Sequence, residues 1–186
     1  MESRVNALDV LRAEHRLIEQ MLSALDAVAR GIERGEQVPP FTDDLLDFFQ
    51  QFADQTHHAK EEERLFPALA ADGFGPNPVV DAMMHQHDLA RTHVRDLRRA
   101  LARLRAGDVA ARSDFTASAA AYSELLRVHI QIEDEDLYPI AERIVAETGD
   151  RSLFDEFERV DASPTAQAQR ARWDDLRAKC RPTVVR

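Results

Sequence analysis

The chain has 186 residues, 44% of them hydrophobic, which suits one domain with a sizeable core. Acidic residues outnumber basic ones, 34 to 24, and the net charge of −10 argues against a phosphate backbone as the main partner. There is no apolar run of about 18 residues to cross a membrane, no glycine-rich phosphate loop, and a single cysteine, Cys180, which excludes an intrachain disulfide and suits a reducing compartment.

The N-terminal stretch is charged and lacks the apolar core of a secretory leader, so a cytoplasmic location is expected. Leu8, Leu11, Ile18, Leu22, Leu25, Ala29 and Ile32 follow at steps of three and four, with His15 in the gap after Leu11. That spacing predicts a first helix, ending between Gly31 and Gly35, ahead of Pro39 and Pro40. Thr42, followed by Asp43 and Asp44, reads as the N-cap and acidic first turn of a second helix. It runs through Leu45, Phe48, Phe49 and Phe52 to about Phe66, where Pro67 bends or ends it. Asp72 to Pro78 is a loop, and a third helix is expected from Val79 to Arg105. After the Gly107-Asp108 break a fourth helix spans Ala110 to Glu147, kinked at Pro139 and closed by Gly149. Leu153, Phe154, Phe157 and Val160 suggest a short amphipathic helix. Ser163-Pro164 opens a last one, anchored by Trp173 and Leu176, and the final six residues are expected to fray. The expected fold is all-α, an up-down four-helix bundle over 1–149 with a helical extension over 150–186.

An internal repeat organises the chain. Shifted by 72 positions, the separation of His15 and His87, the sequence superposes His57 on His129, Glu61 on Glu133, Phe66 on Tyr138 and Pro67 on Pro139. Leu8, Leu11, Leu22, Leu25 and Ile32 fall on Val80, Met83, Val94, Leu97 and Leu104, and Gly35 falls on Gly107. Two helical hairpins related by a pseudo-twofold are expected.

Each hairpin carries His-x3-Glu followed by acidic residues, Leu, an aromatic and Pro: His57 to Pro67, and His129 to Pro139. Residues four apart share a helix face. The imidazole offers a neutral nitrogen, and the carboxylate has two oxygens able to bridge two cations. His15 and His87 add one imidazole per hairpin. The repeat favours His57 over His58, since position 58 falls on Ile130, and Glu61 over its acidic neighbours. Glu62 and Glu63 fall on Asp134 and Glu135 and read as solvated or as supports behind the ligands. Four neutral and two anionic donors suit two first-row cations. Two histidines and two bridging oxygens per ion make four protein donors, and an oxo or hydroxo bridge a fifth, leaving an open position.

On these motifs, over roughly residues 8 to 147, the sequence resembles the hemerythrin-like HHE cation-binding family. The resemblance implies a four-helix bundle with two non-haem iron ions, oxo- or hydroxo-bridged, held by His15, His57, Glu61, His87, His129 and Glu133. The oxygen-carrying members have a His-x3-His pair on the third helix, whereas here Met83 and Arg91 flank His87 at four residues. The fourth-helix carboxylate is a Glu at i+4, where those members have an Asp at i+5. The set is closer to iron–sulfur-repair and iron-sensing members, which favours a redox, nitric oxide, peroxide or sensing role over reversible oxygen carriage.

Other readings weigh differently for single residues. One histidine on an apolar stripe is ordinarily a core residue, and one His-x3-Glu an ordinary surface pair. Two glutamates on inner faces repel unless cations neutralise them, so the joint pattern points to metal. His58, His85 and His93 read as surface residues, Tyr122 as a core tyrosine, and Cys180 has no ligand-type neighbours. Asp54-x2-His57 resembles a ferritin-type element but has no repeat partner, since position 126 is Leu. The expected partner is a small diatomic or peroxide ligand at open iron positions, with no nucleic acid and no membrane. The alternatives are an iron or oxygen sensor, or an iron-storage module without catalysis. A third alternative is an enzyme, such as a peroxide-decomposing or nitric-oxide-linked repair protein.

Overall fold

The structure, a computed structural model, describes residues 7–70, 77–148, 157 and 164–180. Among them there are helices and no strands. The first helix, α1 (Ala7–Glu33), follows the three-four stripe, and Leu8, Leu11, Ile18, Leu22, Leu25 and Ile32 are all buried. It ends at Glu33, and the turn that follows contains Gly35 at a φ of 81°, which glycine adopts without strain.

The second helical rod begins with α2 (Thr42–Phe48). Thr42 is not its cap: Phe41 holds that position, and the buried Thr42 hydroxyl donates back to the Pro39 carbonyl at 2.7 Å. The rod then widens into a π-helical stretch, π1 (Phe49–His58), and a second, π2 (Glu61–Leu65), before α3 (Phe66–Leu69). Pro67 does not end the rod. It lies in the first turn of α3, where its missing N–H costs little.

Asn77 caps α4 (Pro78–Arg105), its side chain accepting the Val79 N–H at 2.7 Å, with Pro78 at the first helical position. Gly107 repeats the Gly35 turn with φ 89°. The last rod is α5 (Ala111–Ile132), π3 (Glu133–Leu137) and α6 (Tyr138–Thr148). Both prolines, 67 and 139, sit just after a π-helical stretch. The two stretches π2 and π3 are themselves 72 residues apart. Such widened turns concentrate at functional sites.

The last helix, α7 (Pro164–Cys180), packs on α1 and α2. Trp173 is buried and meets Phe48 edge-on at 5.3 Å, with the Arg172 guanidinium over its outer face. Of the expected short helix, Phe157 is described and buried; Leu153, Phe154 and Val160 lie outside the described residues, as do Gly149, most of the Asp72–Pro78 loop and the final six residues.

Packing of α4 and α1 along α5, and of π1 against α4, encloses two apolar clusters. The larger contains Ile18, Ala53, Ala90 and Ile130; the smaller contains Leu11, Leu65, Met83 and Leu137. His15, His57, Glu61, His87 and Glu133 each fall in sequence between a member of one cluster and a member of the other. They form a polar layer between two apolar plugs.

Candidate metal centre

The four rods deliver all six expected residues to this layer, and each is at most 1% exposed. In one group, donor atoms of His15, His57, Glu61 and Glu133 all lie within 4.8 Å of one another. In a second, those of Glu61, His87, His129 and Glu133 do so. The two glutamates belong to both groups.

A ring of outer acceptors sets how the imidazoles point. Asp134 Oδ1 takes the Nδ1–H of His15 at 2.8 Å, and Glu14 Oε2 that of His57 at 2.9 Å. Glu62 Oε1 takes that of His87 at 2.7 Å, and Gln86 Oε1 that of His129 at 2.9 Å. These oxygens only accept, so each Nδ1 carries the proton and each Nε2 is left with a lone pair. The Nε2 atoms face the centre. Those of His87 and His129 are 3.0 Å apart, a contact that repels until a positive charge joins it. His57 Nε2, Glu61 Oε2 and both Glu133 oxygens are buried without a hydrogen-bond partner. Unpaired buried acceptors of this kind are costly unless something cationic meets them.

The outer ring obeys the repeat. Glu14 and Gln86 are 72 residues apart, as are Glu62 and Asp134. Glu62 and Asp134 were expected to be solvated or supporting, and Glu14 and Gln86 were passed over; the signal was a polar residue recurring beside each expected ligand. Glu14 is braced by Lys60 at 2.6 Å, Glu62 by Arg91 at 2.6 Å, and Asp134 by Arg16.

The electrostatics favour positive charge. Burial and the neighbouring Glu133 push the Glu61 carboxyl well above the usual carboxylate range. Burial lowers the pKa of the His15 ring, but the nearby Asp134 and Glu133 carboxylates outweigh it, so its pKa rises. Burial depresses His57 to about 4 despite Glu14, which keeps this imidazole neutral, the form that binds cations.

Two features depart from the 72-residue correspondence of the sequence. The Tyr138 hydroxyl donates to Glu61 Oε1 at 2.5 Å and lies 3.3 Å from His15 Nε2. At the matching position the Phe66 ring stacks near His87 and has no hydroxyl. The second break overturns an expectation: His58 is not at the surface but 1% exposed, with its ring stacked on His87 at 3.8 Å. Adjacent side chains on an α-helix diverge by about 100°; His57 and His58 close the π-helical stretch π1, and both are buried. The signal was its repeat partner Ile130, an apolar and hence inward-facing position. His85 is exposed as expected, His93 is half-buried, and Tyr122 is a core residue, edge-on to Phe49 at 4.9 Å. Burial pushes the Cys180 thiol up to about 11.

The arrangement is a dry box of inward-facing lone pairs around two shared carboxylates. A protein-family model, the hemerythrin HHE cation-binding domain, matches residues 6–141. The chain belongs to the hemerythrin HHE cation-binding family. Comparison with curated proteins and with solved structures gave no match. The donor set fits the cation-binding character of the hemerythrin HHE domain, because the buried orphan oxygens and the opposed Nε2 atoms both need a cation. No helix among the described residues is long and apolar enough to cross a membrane.

Proposed function

We propose that this chain is a cytoplasmic non-haem di-iron protein that handles a small ligand, O2, nitric oxide or peroxide, at open iron positions. His15 and His57 would serve one iron, His87 and His129 the other, with Glu61 and Glu133 shared. The observation that carries the reading is the set of four Nδ1–H groups tied outward, leaving four Nε2 lone pairs aimed at two glutamates of which Glu61 Oε2 and both Glu133 oxygens have no hydrogen-bond partner. Bound iron would supply Lewis acidity and one-electron redox chemistry.

The chain's own residues set the environment. Asp134, Glu14, Glu62 and Gln86 orient the rings and raise their donor strength. The apolar clusters on either side exclude water, and the Tyr138 hydroxyl stands beside Glu61 and His15 as a hydrogen-bond donor. We read the architecture as an up-down bundle of two hairpins with a pseudo-twofold, over 1–149, followed by the extension. The paired outer acceptors and the paired π-helical stretches support that symmetry.

Purified full-length protein is expected to carry about two irons per chain. His57→Ala combined with His129→Ala removes one nitrogen from each half-site and is expected to abolish most of that content. Unchanged metal content in the double variant would overturn the assignment.

A further inference from the structure

We propose that His58 is a third imidazole for the cation held by His87 and His129. The proposal rests on the di-metal reading above. Donor atoms of His58, His87 and His129 lie within 4.8 Å of one another, and all three side chains are buried. Ligands about 2.1 Å from a shared ion are at most about 4.2 Å apart, so a small closure of the three rings completes the set. The His58 and His87 rings are 3.8 Å apart, and His58 is 5.6 Å from His129.

Hydrogen bonding does not account for His58 as it accounts for the other four. Each of those ties Nδ1 to an outer oxygen at 2.7–2.9 Å. His58 Nδ1 is buried with no hydrogen-bond partner. The Asp54 Oδ1 atom is 3.9 Å from it, beyond hydrogen-bond distance, and already accepts from Arg91 at 2.8 Å. Simple apolar packing does not require a histidine either, since the repeat fills the matching position with Ile130. A buried imidazole with an unmet nitrogen, beside two imidazoles whose Nε2 atoms face each other, is placed for a ligand's role.

The consequence is that the two cations are unlike. The second would have three nitrogens, and the first two, with the Tyr138 hydroxyl nearby instead. The two breaks in the repeat therefore fall on opposite sides of the centre.

His58 also lines a cavity of about 260 Å³, together with Phe49, Asp54, Arg91, Arg98 and Tyr122. That cavity offers a chemical test. The full chain is loaded with Fe(II) without oxygen, and release to a chelator is followed for wild type, His58→Ile and His58→Ala. In both variants one ion of the two is expected to leave about tenfold faster or more, with the other unchanged. Free imidazole is expected to restore retention in His58→Ala, while pyrrole, of similar shape but without a free nitrogen donor, is not. Unchanged release, or equal rescue by pyrrole, would overturn the proposal. If the variants do not fold, the wild type loaded with Co(II) decides through its far-shifted imidazole N–H proton resonances: five support His58 as a ligand, four refute it. Failure of the wild type to bind either metal would instead refute the di-metal reading, so the two failures are distinguishable.

Discussion

Asp134→Ala isolates one outer acceptor from the imidazole it supports. Asp134 accepts the His15 Nδ1–H at 2.8 Å, and His15 is fully buried, so no solvent stands ready to replace the lost oxygen. Removing such a support ordinarily weakens metal binding by about 10- to 100-fold, or about 1.4–2.7 kcal/mol. The metal-free protein should also lose about 1–3 kcal/mol, the cost of leaving a buried N–H unsatisfied. Asp134 also pairs with Arg16, whose side chain is 54% exposed. Arg16→Ala therefore serves as a control, expected to cost at most about 1 kcal/mol and to leave metal binding intact. Asp134→Asn keeps an acceptor oxygen and should fall between. Competition between the protein and a calibrated Fe(II) chelator reads the affinity, and thermal melts of the metal-free forms read the stability. The reasoning fails if Asp134→Ala holds iron as tightly as wild type, or if Arg16→Ala weakens binding equally. Glu62→Ala should reproduce the effect on His87, since the repeat makes the two residues equivalent.

Tyr138→Phe converts the position to the residue its repeat partner already has. The ring still fits, but Glu61 Oε1 loses its 2.5 Å donor, and metal-free stability should drop by about 1–3 kcal/mol in thermal denaturation; an unchanged melting temperature would contradict the assigned bond. The docking of α7 should be acid-sensitive, and Trp173, the single tryptophan, reports it. Burial raises the Asp47 carboxyl, but hydrogen bonds from Arg98 and Arg172 outweigh it and hold its pKa below the usual value. Its contribution is therefore present above the unfolded value, about 3.9, and is lost as pH falls below it. Trp173 emission is expected to shift to the red as the pH falls below about 4, with that component missing in Asp47→Asn. Identical acid profiles in the two proteins would remove Asp47 from the account.

Much of the site was legible because its signals are local. His15 filling a gap in an apolar stripe needs nothing but the helix period, and the pairing of His57 with Glu61 needs only one turn. The repeat then chose among neighbours without structural information. The same logic misjudged His58, because it treated an unmatched residue as an outward one. The position was inward; what differed between hairpins was chemistry, histidine against isoleucine. Thr42 and Pro67 were misread for another reason. Each has a standard local role, cap or breaker, that the observed turn displaces: a bond back to Pro39 in one case and a widened helix in the other.

By itself, then, the sequence determined the helical class and the six residues at the centre of the layer, because periodicity and a 72-residue self-similarity are properties of the chain read along its length. The tertiary structure decided what stands around them. Asp134 reaches His15 across 119 residues, and Tyr138 reaches Glu61 across 77. Contacts of that span depend on how rods cross and on where helices widen into π-turns. Sequence spacing cannot register them, and in this protein they orient the imidazoles, give Glu61 a hydrogen-bond donor and make the two sides of the layer different.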